Sequence, residues 1–377
     1  MNLPAAIAVS SCLCMGFTAS VIGAFKLELA KSLRVDNARI GALVSVATFT
    51  SMIMSLLLGV LIDMTGYRAV ALTGFVVTSA SFYLLASARS YGAAVFASFL
   101  VGVGGMCLNA FGSTLATVSL FGGGNPSLAL NIGHMFGSIG AMTPSLALGL
   151  FLARLGYRRI GYALAAFILI PLPVALLVQL PVAAAEFELL GALSLLTNPV
   201  VIAVGAALYF YVGVEASFST WITTYMTHLK VSKKAAQFTL SLFWLSLLLG
   251  RLGASKFINP VTEMPLITIL AVITVINTAV MIVNRNGTVG FVTTIISGFT
   301  LGPMFPILVG RAFAVIDVSL RGSVYGILVA VALFGATTLP LVVGVVSRKG
   351  PFRKSLTVVL VATLALLAMI VVVTVMT

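Results

Sequence analysis

The stretch Ser55-Leu56-Leu57-Leu58-Gly59-Val60-Leu61-Ile62-Asp63-Met64-Thr65-Gly66-Tyr67-Arg68 closes one long apolar run and opens the next. Of the 377 residues, 60% are hydrophobic and 8% charged, against about one quarter charged in a soluble domain. Such a chain cannot cover itself with water-facing groups. A bilayer core needs roughly 20 apolar residues of helix to cross it, and lipid leaves every backbone amide to be satisfied internally. The chain is therefore expected to be an all-α membrane protein of twelve transmembrane helices. They fall at about 4–26, 39–62, 69–88, 92–118, 128–152, 159–180, 199–226, 235–255, 264–284, 288–310, 322–346 and 355–376. The first run continues into helix without a small-residue cleavage site, so it reads as a retained span and not as a signal peptide. Nothing is left over for a soluble domain or a tail. The expectation is an integral, multi-pass membrane protein.

The opening stretch also repeats. Ser55-Leu56-Leu57-Leu58-Gly59-Val60-Leu61, at the end of the second span, returns 191 residues later as Ser246-Leu247-Leu248-Leu249-Gly250-Arg251-Leu252, at the end of the eighth. Gly140-Ala141-Met142-Thr143 in the fifth span returns 195 residues later as Gly335-Ala336-Thr337-Thr338 in the eleventh. Near-equal offsets of about half the chain argue for a duplicated six-helix unit. The organisation expected is two pseudo-symmetric bundles, 1–180 and 199–377, joined by a cytoplasmic linker at 181–198. Parallel repeats of this kind place a binding site near the membrane midplane, exposed alternately to the two sides.

Several chemistries lose support. Cys12, Cys14 and Cys107 lie inside spans, and residues two apart on a helix point to different faces, so Cys12 and Cys14 cannot clip a metal. They read as small packing residues. No Gly-x-Ser-x-Gly, phosphate-cradling Gly-x-x-x-x-Gly-Lys or His/Cys/carboxylate cluster is present, which argues against an enzyme, an ATP-driven pump or a metal centre. Gly102, Gly104 and Gly105 sit inside an apolar run and suit close helix packing, because no helix N-terminus is there to hold a phosphate. The net charge of +13 is scattered over short loops. It offers no basic face to nucleic acid.

In the joint after the second span, Gly59, Leu61, Asp63, Gly66 and Arg68 match the pattern Gly-x-Leu-x-Asp-x-x-Gly-x-Arg, and the chain thereby resembles the major facilitator superfamily. Glycines let helix ends approach, while the Asp63 carboxylate can accept from helix N-terminal amides or a facing Arg and act as a latch. A capped turn, with Asp before Gly, is the plainer alternative. Further segments are similar to the fucose permease and sodium-dependent glucose transporter branch. They are Leu130-Asn131 through His134, Gly137 and Pro144, Tyr211 through Glu215 to Trp221 and Tyr225, Phe243-Trp244 with Gly250-Arg251, Gly302-Pro303 through Pro306, and Arg321-Gly322 through Tyr325-Gly326. Where many members of that branch carry an acidic residue and, four positions on, an Asn in the fourth span, this chain carries Asn109 and Ser113. No carboxylate precedes Glu28 in the first span. The usual proton-coupling pair is therefore not evident, and facilitated diffusion or sodium coupling gains ground beside proton symport. H+ and Na+ both stand as possible coupling ions, with no other cofactor expected.

Glu215 is the acidic residue well inside a span, and an ionisable group in the bilayer is costly enough to mark function or a helix-tying ion pair. Trp221 and Tyr225, one turn apart, share a helix face that suits a sugar ring, although aromatic residues near a span end also form the interfacial belt. Asn131 and His134 share a face of the fifth span and should point to a pore or to another helix. Asn109, Ser113 and Thr117 form a stripe on the fourth, lining a cavity or allowing close packing. Arg251 reads as the second half's version of the latch, against the plainer alternative of an Arg snorkelling at the surface.

With the Asp63 joint cytoplasmic, as the resemblance implies, five basic residues fall on its side: Arg68, Arg251, Lys256, Arg311 and Arg321. The other sixteen of 21 fall opposite, among them Arg154, Arg158, Arg159, Lys230, Lys233, Lys234, Arg348, Lys349, Arg353 and Lys354. That inverts the positive-inside expectation. A basic outer mouth would concentrate small organic anions. The sequence therefore points to a secondary active or facilitative transporter of a small polar solute, sugar-like or anionic, working as a monomer in lipid by alternating access. A transporter-like scaffold or receptor without transport is the alternative. A lipid enzyme is disfavoured, since no paired acid and base stand in the spans.

Overall fold

The computed structural model describes residues 3–180, 194–347 and 352–377. Residues 181–193 of the expected linker lie outside the described residues, as do Arg348, Lys349 and the side chains of Lys233 and Lys234. Regular structure among the described residues is helical throughout, without a strand. The α-helices are α1 (Leu3–Leu33), α2 (Asn37–Thr65), α3 (Tyr67–Ser87), α4 (Tyr91–Ser119), α5 (Pro126–Ile168) and α6 (Leu172–Leu177). They continue as α7 (Pro199–His228), α8 (Lys233–Ala254), α9 (Glu263–Val283), α10 (Gly287–Leu301), α11 (Met304–Val315), α12 (Arg321–Ser347) and α13 (Phe352–Met376).

Among the described residues, eleven helical stretches are long and apolar enough to cross a membrane, one fewer than the twelve expected. The difference lies in a single 52-residue stretch, Pro126–Leu177, which takes in both the fifth and sixth expected spans. Its backbone bends at Gly156, where φ is +70° and ψ 155°. Glycine enters that region without a Cβ penalty, so the chain turns in one residue and helix resumes at once, with no polar loop to divide the run. The tenth expected span differs as well. Between α10 and α11 the helix breaks at Gly302-Pro303, and Pro303 has no amide hydrogen to continue the ladder.

The chain forms two compact units, which depart from chain order at two short segments. Unit 1 comprises Met1–Gly124, Gly133–Ala192 and Asp317–Gly326, and unit 2 Asn125–Ile132, Leu193–Ile316 and Ile327–Thr377, as far as these residues are described. In unit 1, α4 packs against α1, α2 and α3. A Cβ on Gly105 would lie 2.5 Å from Thr18 Oγ1, and one on Gly104 2.5 Å from Thr78 Oγ1. Small residues therefore set how closely these helices approach, as they do where lipid removes the hydrophobic drive for association. In unit 2, α7 packs on α8 and α13, and α9 on α10 and α13. Between α9 and α10 runs a polar seam in which Asn277 Nδ2 donates to the Thr293 carbonyl and to Ser297 Oγ, each at 2.8 Å.

Candidate functional site

Glu215 lies half-buried on α7, inside unit 2. Tyr211, one turn earlier and fully buried, donates its hydroxyl to Glu215 Oε2 at 2.5 Å. Arg251, on α8, places its positive charge within electrostatic reach of the Glu215 carboxyl group. Arg251 is itself 7% exposed. Its Nε donates to the Gly302 carbonyl at 2.9 Å, at the α10–α11 break. Asn131, fully buried in the segment of α5 that belongs to unit 2, donates to the Arg251 carbonyl at 2.8 Å. Glu215, Tyr211, Arg251 and Asn131 thus form one chain of interactions, with an acidic residue at one end.

Trp221 and Tyr225 are placed differently. Trp221 Nε1 donates to the Pro340 carbonyl of α12 at 3.1 Å, and the Tyr225 hydroxyl accepts from Asn284 Nδ2 at 2.9 Å. Their polar tips tie helices together, and the structure does not bring them to Glu215.

In unit 1 the Tyr325 hydroxyl donates to Asn109 Oδ1 at 2.8 Å and lies 2.9 Å from the Ser113 hydroxyl. Ser113 is in turn 3.3 Å from Asn109 Oδ1, which closes a triangle. Thr117, the third member of that stripe, bonds back to the Thr114 carbonyl at 2.7 Å and stays in its own helix. His134 is half-buried on α5 in unit 1, whereas Asn131, three residues earlier, falls in unit 2.

The Asp63 joint has a defined geometry, also within unit 1. The Asp63 carboxylate is 6% exposed. Its Oδ1 accepts from the Gly322 amide at 3.0 Å, and its Oδ2 from the Ser323 amide and hydroxyl at 2.6 Å each. A side chain of α2 therefore caps the first turn of α12, where unsatisfied amides and the helix dipole both favour an anion. Gly59 lets the backbones meet, since a Cβ there would lie 2.4 Å from the Gly322 carbonyl oxygen. Gly66 ends α2 at φ +79°. Arg68 turns elsewhere, donating to the Val178 carbonyl at 3.0 Å. Just before α12, the Ser319 hydroxyl and amide hold the Asp317 carboxyl below the usual carboxylate range.

Two participants were missing from the sequence candidates. Tyr211 stands four residues before Glu215, and helical spacing alone could have paired them. Tyr325 is 216 residues from Asn109 and gave no local signal.

The fold is that of a polytopic helical membrane protein. The family model of the Major Facilitator Superfamily matches residues 7–336, and the chain belongs to that family. No curated protein sequence matches it. Among solved structures it is similar to a major facilitator transporter, FucP, in the outward conformation, at TM-score 0.83 and 16% identity over 98% of each chain. A second similar structure is a variant of the E. coli fucose:proton symporter FucP, at TM-score 0.81 and 16% identity, covering 99% of this chain and 98% of that one. A third is the proton:xylose symporter XylE bound to 6-bromo-6-deoxy-D-glucose, at TM-score 0.76 and 14% identity, covering 97% and 94%. At these identities the likeness concerns the fold.

Proposed function

We propose that this major facilitator protein carries a small polar solute, sugar-like or a small organic anion, across its membrane by alternating access. The observation that carries this reading is Glu215, a half-buried acidic residue on a membrane-spanning helix, held by Tyr211 and within reach of the charge of Arg251. A carboxylate kept in the bilayer region is costly, and one poised between a donor and a cation can exchange those partners for a solute hydroxyl or a coupling H+ or Na+. The fucose:proton and proton:xylose symporters that share the fold support a hydroxylated solute.

Purified protein in liposomes, offered labelled sugars and organic acids with and without pH or sodium gradients, tests the reading. Saturable flux that Glu215→Gln reduces is expected. Binding without flux would favour the scaffold or receptor alternative, and no binding of any solute would remove the reading.

A further inference from the structure

The triangle of Asn109, Ser113 and Tyr325 in unit 1 has one open side. From Gly104 to Thr117 on α4 every residue is buried except Asn109, which is half-buried. That opening is not a gap between α4 and α1. A Cβ on Gly105, one turn before Asn109, would lie 2.5 Å from Thr18 Oγ1, and one on Gly112 would lie 3.0 Å from Cys12 Sγ. The two helices therefore touch both before and after Asn109, whose exposure lies beside that contact and not within it.

The two ends of the Asn109 amide have different surroundings. Oδ1 accepts from the Tyr325 hydroxyl at 2.8 Å and from the Ser113 hydroxyl at 3.3 Å. Nδ2 lies 3.9 Å from Met106 Sδ, a weak acceptor with no proton to give. The sulfur sets the sense of the amide, because the reverse orientation would place the lone pairs of Oδ1 against those of the thioether. One Nδ2 hydrogen is thus spent on a weak partner, and among the described residues the other meets no acceptor. Ser113 is 1% exposed and Tyr325 fully buried, so neither hydroxyl is offered outward. What the network presents at its open side is an amide donor, held in one orientation before anything binds.

That donor has no counter-charge on its own helix or on the one beside it: α4 carries no charged residue, and α1 carries none before Lys26. On α12, Arg321 stands one turn before Tyr325, and the turn between them is capped by Asp63, of opposite sign. A hydroxyl or ether oxygen can accept from the amide at small desolvation cost. A carboxylate would give up most of its hydration without a cation to replace it.

We infer that Asn109 recognises the solute by donating an Nδ2 hydrogen to a neutral oxygen, that Tyr325 and Ser113 position the amide by holding Oδ1, and that the solute is an uncharged hydroxylated molecule and not an organic anion. This deepens the transport reading above and rests on it.

The test offers proteoliposomes labelled D-glucose, D-galactose, D-xylose and myo-inositol beside D-glucuronate, lactate and succinate, at about pH 8, well above the carboxylate range. Uptake of a neutral member, and of none of the anions, is expected. Asn109→Asp keeps an oxygen for Tyr325 and Ser113 but replaces the donor with a charge, so it is expected to lower that uptake about tenfold or more while the variant keeps the wild-type elution profile. Tyr325→Phe and Ser113→Ala are expected to raise KM about three- to tenfold with little change in the maximal rate per folded molecule, whereas a purely structural role would lower the yield of folded protein and leave KM alone. Uptake of anions alone would overturn the inference and leave the transport reading standing, as would wild-type rates and KM in Asn109→Asp. Neither flux nor a thermal shift with any member of the panel would overturn both.

Discussion

The Asp63 carboxylate lies 2.6 Å from the Ser323 amide, so a residue of α2 caps a helix 260 positions further along the chain. Three donors converge on that one buried side chain. Hydrogen bonds to a charged group contribute about 1.5–3 kcal/mol each, more than neutral ones. Asp63→Asn keeps an acceptor but loses the charge, whereas Asp63→Ala leaves the Gly322 and Ser323 amides without a partner. Both variants are expected to lower the unfolding midpoint, Ala more than Asn, by an amount equivalent to about 1–3 kcal/mol for Ala. Thermal unfolding of the purified variants checks the order, and equal midpoints for wild type and Asp63→Ala would contradict it.

The close approach beneath that cap makes a second prediction. A Cβ at Gly59 would sit 2.4 Å from the Gly322 carbonyl oxygen, and one at Gly326 2.3 Å from the Ser55 carbonyl oxygen. Both obstacles are backbone, which cannot rotate away. Gly59→Ala and Gly326→Ala are each expected to cost about 1–3 kcal/mol and to slow uptake. At Gly149 a Cβ meets nothing within 4 Å. Gly149→Ala is expected to be neutral or slightly stabilising, because alanine is the better helix former. Side-by-side midpoints and liposome uptake rates for the three variants decide the matter.

The sequence made the helices legible because lipid demands long apolar runs, and the composition of those runs leaves no other reading. The joint expected between 152 and 159 does hold the bend, at Gly156, but helix resumes there within one residue, so the fifth and sixth spans run on as one stretch. The break at Gly302-Pro303 was visible as residues but not as a division of the tenth span. Among the site candidates, Asn131 meets Arg251 by contact across 120 positions, a relation that no helical spacing encodes. Spacing places Trp221 and Tyr225 one turn apart on the same helix. Where their tips point depends on Pro340 and Asn284, partners from other helices.

Glu215 and Tyr211 give a prediction about transport and not stability. Glu215→Gln retains shape and hydrogen-bonding capacity but removes the charge that faces Arg251. Uptake is expected to fall about tenfold or more, the equivalent of one charge-assisted bond, while membrane insertion and the elution profile stay unchanged. Tyr211→Phe removes one donor and leaves the carboxylate and Arg251 in place, so a smaller loss is expected. Initial rates of solute uptake by the two variants, normalised to protein in the vesicles, check the order. A Tyr211→Phe defect larger than that of Glu215→Gln would shift the functional weight from the carboxylate to the phenol.

The triangle of Tyr325, Asn109 and Ser113 predicts non-additivity. The Tyr325 hydroxyl has one proton to share between Asn109 Oδ1 and Ser113 Oγ, and Ser113 in turn donates to Asn109 Oδ1. Tyr325→Phe then leaves Asn109 with the longer 3.3 Å bond from Ser113, while Ser113→Ala leaves the phenol its bond to Asn109. Each single change strands part of a buried polar set, at about 1–3 kcal/mol. Once the first is made, the second has less left to break. The double variant is therefore expected to be more stable than the sum of the single losses predicts, by about 0.5–2 kcal/mol. Thermal or denaturant unfolding of the four proteins closes the cycle, and strict additivity would mean that the three side chains do not act as one network.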